Sequence, residues 1–152
     1  MKLSTREDID VPIAEVFAAV SDFDSIEKRL RQRGVSVERD AAAPPAGAGR
    51  RWQAVASWRG RQHRILAELI EVDEGQGFAI ESASGGVICL SVVDLVALSK
   101  TRTRMLVSLD LRPTTLSSRL LIQSLRLAKG RLSERLSARA AEFARRIEAG
   151  GD

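Results

Sequence analysis

The chain has no tyrosine, one cysteine, one histidine and few other aromatics, two tryptophans and four phenylalanines. Each shortage removes a class of explanation. The lone cysteine, Cys89, excludes an intrachain disulfide, and one Cys with one His is too few soft ligands for a Cys/His zinc site. No metal and no cofactor is expected. Cys89 lies in the apolar run Val87 to Val93 and reads as a small buried hydrophobe. No apolar run approaches the ~20 residues that a membrane-spanning helix needs. The sparse aromatics weigh against RNA binding, which uses stacking platforms. Gly47-Ala48-Gly49 lacks a Gly-Lys-Ser/Thr ending and precedes a strand, so it is no phosphate cradle. No serine stands in a nucleophile elbow. The opening, Met1 to Asp8, becomes charged where a secretory signal would turn apolar. A soluble cytoplasmic protein is the expectation.

What is present fits one globular domain over residues 1–152. Hydrophobic residues make up 44% and charged residues 29% of the chain, and this length buries a sizeable core. The net charge of +4 comes from arginines dispersed among 20 acidic residues. Only Arg50-Arg51, Arg59 to Arg64 and the last helix (Arg126, Lys129, Arg131, Arg135, Arg139) look clustered, and a solvated face accounts for them.

Thr115 to Glu148 contains no proline, and Leu116, Leu120, Leu125, Leu132, Leu136, Phe143 and Ile147 recur at helical steps. One helix roughly 50 Å long is expected, and it needs a wide apolar partner. Residues 2–9 read as a strand. Asp10 and Pro12 then open a helix with Ile13, Val16, Phe17 and Val20 on one face. Ser21 and Asp24 have capping-box spacing before a second short helix carrying Phe23, Ile26 and Leu30 to about Gln32. Val35 and Val37 suggest a short strand, and 41–49 a loop. Strands follow near 50–58, 61–72, 77–83, 86–98 and 102–112, separated by connections short enough for antiparallel neighbours.

A two-residue turn at Arg59-Gly60 pairs Trp58 with Arg61, Ala56 with His63, Ala54 with Ile65 and Trp52 with Ala67. Cross-strand partners share a face, so Trp52, Ala54, Ala56, Trp58, His63, Ile65, Ala67 and Leu69 point inward together. In 102–112, Met105, Val107, Leu109 and Leu111 point inward. Small alanines between two indoles on a curved sheet leave volume that the helix stripe, with Leu125 and Leu132, does not fill. His63, the only imidazole, points inward as a rim histidine or a ligand partner. A two-residue turn at Ser99-Lys100 would send Asp94 inward beside Ile88, Leu90 and Val92, whereas a single bulge would send it to solvent. Glu81 shares that ambiguity.

The order of elements resembles the START-like, or SRPBCC, superfamily, which includes polyketide cyclase/dehydrase-like proteins. The resemblance is carried by Asp10-Val11-Pro12-Ile13-Ala14-Glu15-Val16-Phe17, Val20-Ser21-Asp22-Phe23, Gly49-Arg50-Arg51-Trp52, Thr101-Arg102-Thr103-Arg104 and the terminal amphipathic helix. It implies an α+β helix-grip fold: a curved antiparallel sheet of about seven strands wrapped around a long C-terminal helix, with two short helices after the first strand. It implies a cavity for an apolar or amphipathic small molecule of lipid, quinone, polyketide or aromatic type, and carries over no catalytic residue. Gly130 would suit a bend at the cavity mouth.

A non-enzymatic binder of a hydrophobic small molecule is the favoured function. Its expected ligand-binding residues are Trp52, Ala54, Ala56, Trp58, His63, Ile65, Asp94, Met105, Val107, Leu109, Leu125 and Leu132, with Ser82 and Ser91 as further polar contacts. The alternatives are a cyclase- or dehydratase-type enzyme using His63 and Asp94, and an interaction module whose basic C-terminal helix docks on an anionic membrane or acidic partner. No nucleic-acid partner is expected.

Overall fold

In the computed structural model, which describes residues 1–150, seven strands form one antiparallel sheet. They are β1 (Lys2–Ile9), β2 (Ser36–Arg39), β3 (Arg51–Trp58), β4 (Arg61–Asp73), β5 (Gly77–Ser84), β6 (Val87–Ser99) and β7 (Arg102–Pro113). Their order across the sheet is β1-β7-β6-β5-β4-β3-β2. Each of β3 to β7 is joined to the next by a short turn, and Gly60, Gly75, Gly85 and Gly86 supply the positive φ these turns use. Arg59 also takes a positive φ of 51°, which gives the β3–β4 turn its two left-handed residues.

The short helices α1 (Ile13–Val20) and α2 (Phe23–Gln32) follow β1. Val16, Phe17 and Val20 are buried, as their spacing requires. The cap between the helices differs from expectation by one residue. Ser21 closes α1, donating its hydroxyl to Phe17 O at 2.6 Å, while Asp22 caps α2 by accepting from Ser25 N. Asp binds the orphan amide as a charged acceptor, which favours it at this position.

The apolar face expected for α2 is only partly used. Leu30 is exposed and the buried residue is Glu27. Its carboxylate accepts from Arg50 Nη2 at 2.8 Å and from Arg39 Nε at 3.0 Å. Arg50 is therefore not a solvated cation but a buried partner, lying also over the Phe23 and Trp52 rings. Its neighbour Arg51 is exposed and pairs with Asp40.

The last helical stretch is not one rod. It is α3 (Leu116–Leu127) and α4 (Lys129–Glu148), parted at Ala128, whose ψ of 14° leaves the helical range. The break falls two residues before Gly130. α3 begins with a capping box in which Thr115 accepts from Ser118 N and Ser118 accepts from Thr115 N. Thr114 N donates to Gly86 O, and a Cβ on Gly86 would lie 2.8 Å from Thr115 Oγ1. The β5–β6 turn and the start of α3 thus need a glycine between them.

The leucine stripe is only partly inward. In α3 the buried line is Ser118 and Ile122 with Leu125 half-buried, while Leu116 and Leu120 are exposed. In α4 the buried residues are Ala140 and Ala144, and Leu132, Leu136, Phe143 and Ile147 flank them half-buried. Alanines let α4 come close to the sheet. It lies along β1, with Thr5 Oγ1 and Ser137 Oγ 3.0 Å apart and Asp10 N donating to Glu148 at 2.9 Å. The core beneath it joins Ile9, Val16, Trp52, Leu69, Phe78, Leu95 and Met105.

Candidate functional site

The concave face follows from the strand registers. Trp52 opposes Ala67, Ala54 opposes Ile65, Ala56 opposes His63 and Trp58 opposes Arg61. Ala67 opposes Ser82, Ser82 opposes Cys89, and Cys89 opposes Leu111. Across the next row lie Leu69, Ile80, Ser91, Leu109 and Leu3. One half of this face, around Trp52, Leu69 and Phe78, belongs to the core under α4. The other half carries Ala56, His63, Ile65, Leu109 and Leu111, all half-buried and outside that core. The helices approach the sheet backbone most extensively at β1, β2, β6 and β7.

The two indoles have different surroundings. Trp52 is buried, with Phe23 edge-on at 5.4 Å between ring centroids. Trp58 is 52% exposed at the β3–β4 rim, its ring 5.9 Å from that of His63, with the Arg59 guanidinium 4.7 Å above it. Trp52 Nε1 and His63 Nε2 are buried with no hydrogen-bond partner among the described residues. Buried donors are seldom left so. Cys89 Sγ and Ser91 Oγ lie 3.7 Å apart on the same side. With Ser82, these place polar atoms among alanines and isoleucine, which suits an apolar molecule bearing a few polar groups.

Neither the protein-family models nor the curated proteins contain a match to the chain. Solved structures do match. A protein of Thermus thermophilus is 19% identical, covers 100% of both chains and superposes with a TM-score of 0.70. The fold the two share is a helix-grip. A point mutant of norcoclaurine synthase from Thalictrum flavum, in complex with a transition-state analogue, has a TM-score of 0.69 at 14% identity, over 97% of this chain and 93% of its own. The Zhui aromatase/cyclase from a Streptomyces species has a TM-score of 0.66 at 14% identity, over 100% and 99%. The helix-grip architecture read from the element order is thus the one observed, with its terminal helix in two pieces.

On this helix-grip sheet, the expected site residues fall into three groups. Ala54, Ala56, His63 and Ile65, with Trp58 at the rim, lie together on the concave face, as do the half-buried Val107 and Leu109. Trp52 and Met105 lie on the same face but within the packed core. Leu125 and Leu132 are half-buried on either side of the helix break.

Asp94 is the exception. Its partners are Gly77 and Leu106, not Met105, because the β6–β7 register shifts between Ala97 and Ser99. The extra residue turns Asp94 and its neighbours Ile88, Leu90 and Val92 onto the convex face, where Asp94 is exposed. Glu81, opposite Leu90 and Glu68, faces the same way. The convex face has its own relief, an open trough of about 760 Å³ lined in part by Glu38, Arg51, Leu66, Glu68 and Glu81. Its carboxylates suit water better than an apolar ligand.

The sequence reading missed the Glu27–Arg50 pair and the outward leucines of α3. A glutamate in the middle of an otherwise amphipathic α2 was the available signal for the first.

Proposed function

We propose that the chain binds and carries a hydrophobic or amphipathic small molecule between the concave sheet and its C-terminal helices, without acting on it chemically. The observation that carries this reading is the half of the concave face that the core does not occupy. There Ala56, His63, Ile65 and Leu109 stay half-buried beside Ser82, Cys89 and Ser91. Transferring apolar ligand surface from water to such a face contributes roughly 25 cal/mol per Å² before binding costs. A carbonyl or hydroxyl on the ligand would meet the unpartnered ring nitrogen of His63. The likeness in fold to an aromatase/cyclase and to norcoclaurine synthase supports a small-molecule site.

The cyclase- or dehydratase-type alternative needed His63 and Asp94 in one pocket. With Asp94 on the opposite side of the sheet, that pairing with His63 does not form.

Native mass spectrometry of protein purified from its own host tests the proposal. A retained apolar compound is expected, and Ala56→Trp, which fills the open row, should weaken its binding at least roughly tenfold while leaving the fold intact. Protein that carries no compound, and whose binding of anilinonaphthalene sulfonate is untouched by Ala56→Trp, would overturn it.

A further inference from the structure

α3 is apolar on two opposite sides. Its inward line is Ser118, Ile122 and Leu125. At about 100° per residue, Leu116, Leu120 and Leu127 fall on the opposite side of the helix. They are 74%, 58% and 91% exposed. Scattered surface leucines are ordinary, but a continuous strip on one helix marks an interaction surface.

The charge around the strip has one sign. No acidic residue occurs between Asp110 and Glu134, an interval that contains Arg112, Arg119, Arg126, Lys129 and Arg131. Arg119 and Arg126 flank the leucines, and neither they nor Lys129 and Arg131 form an ion pair among the described residues. α3 leaves the sheet at the end where the β3–β4 turn lies, and that turn adds the exposed Trp58 with Arg59 and Arg61. No acidic residue occurs between Asp40 and Glu68 either.

We infer that α3 and the β3–β4 turn form a docking face for an anionic lipid surface. Exposed leucines and an indole insert at the headgroup boundary, while flanking arginines meet lipid phosphates. This occupant fits better than a second copy of the chain. A twofold interface sets the same patch against itself, and here that would bring unpaired arginines together. Nucleic acid would satisfy the arginines and leave the leucine strip in water. The inference does not depend on whether the concave face holds a ligand.

Vesicle co-sedimentation tests it, comparing phosphatidylcholine alone with phosphatidylcholine containing about a third phosphatidylglycerol. Binding to the anionic vesicles only is expected, weakening as salt rises. The Leu120→Ser/Leu127→Ser double variant should bind at least roughly tenfold more weakly, with an unchanged far-ultraviolet spectrum because both side chains point outward. In the unaltered protein, brominated acyl chains should quench Trp58. Absence of binding to anionic vesicles, binding that the double variant retains, or a dimer that the double variant converts to monomer would each overturn the inference.

Discussion

Arg50 and Glu27 are held 2.8 Å apart where α2 meets the sheet, with side chains only 9% and 4% exposed. Arg39 donates to the same carboxylate, and Arg31 donates both to Glu27 and to Val37 O. Three strand or helix segments are therefore pinned through one acidic group.

Removing that group should be costly. Glu27→Ala leaves the buried Arg50 with only the exposed carboxylate of Asp24, 3.0 Å away, as its ion partner, and breaking a buried pair costs up to about 3–5 kcal/mol. Urea denaturation should report a loss of that size. Replacing both partners by apolar residues of similar volume should cost less than the single change, because no charge is then left unpaired in the interior.

Asp94→Asn should do almost nothing. The side chain is exposed on the convex face, so stability should stay within about 0.5 kcal/mol of the parent. Binding of any concave-face ligand should be unchanged. A tenfold loss of ligand affinity, measured by titration calorimetry, would show that Asp94 reaches the concave side after all.

Acid sensitivity should concentrate at the β1–β7 edge. Arg104 donates to both oxygens of Asp8, at 2.8 and 3.1 Å, and this hydrogen bonding is the main reason the Asp8 carboxyl titrates below its ordinary value of 3.8. A depressed native value means the unfolded chain takes up the proton first. The pair's contribution is therefore complete above about pH 4 and disappears as pH falls through the depressed value. Asp22, held down by the Ser25 hydroxyl and amide, follows the same sign. Asp8→Asn should flatten the acid limb of a stability-against-pH curve and leave the slope of its neutral region unchanged.

The parts of this fold legible in the sequence are those with short-range signals. Arg59-Gly60 set the β3–β4 register, and the alternation from Trp52 to Leu69 then assigned a face to each residue. Signals of one residue's width were harder. The irregularity between Ala97 and Ser99 reversed the direction of Asp94 while leaving the pattern of β6 unchanged. The leucine spacing in 116–148 reported helix correctly but not its orientation, because the buried positions include Ser118, Ala140 and Ala144, which carry little hydropathy. Glu27 and Arg50 find each other across a loop, and neither periodicity nor composition encodes such a meeting.

The interruption at Ala128 divides labour within the C-terminal stretch. α4, anchored along β1 by Thr5, Ser137 and Glu148, secures the packed half of the molecule. α3 carries its own capping box and joins α4 through a residue with non-helical backbone angles. Local opening of α3 can therefore stop at the joint. The open end of the concave face can change its cover while the core keeps its own.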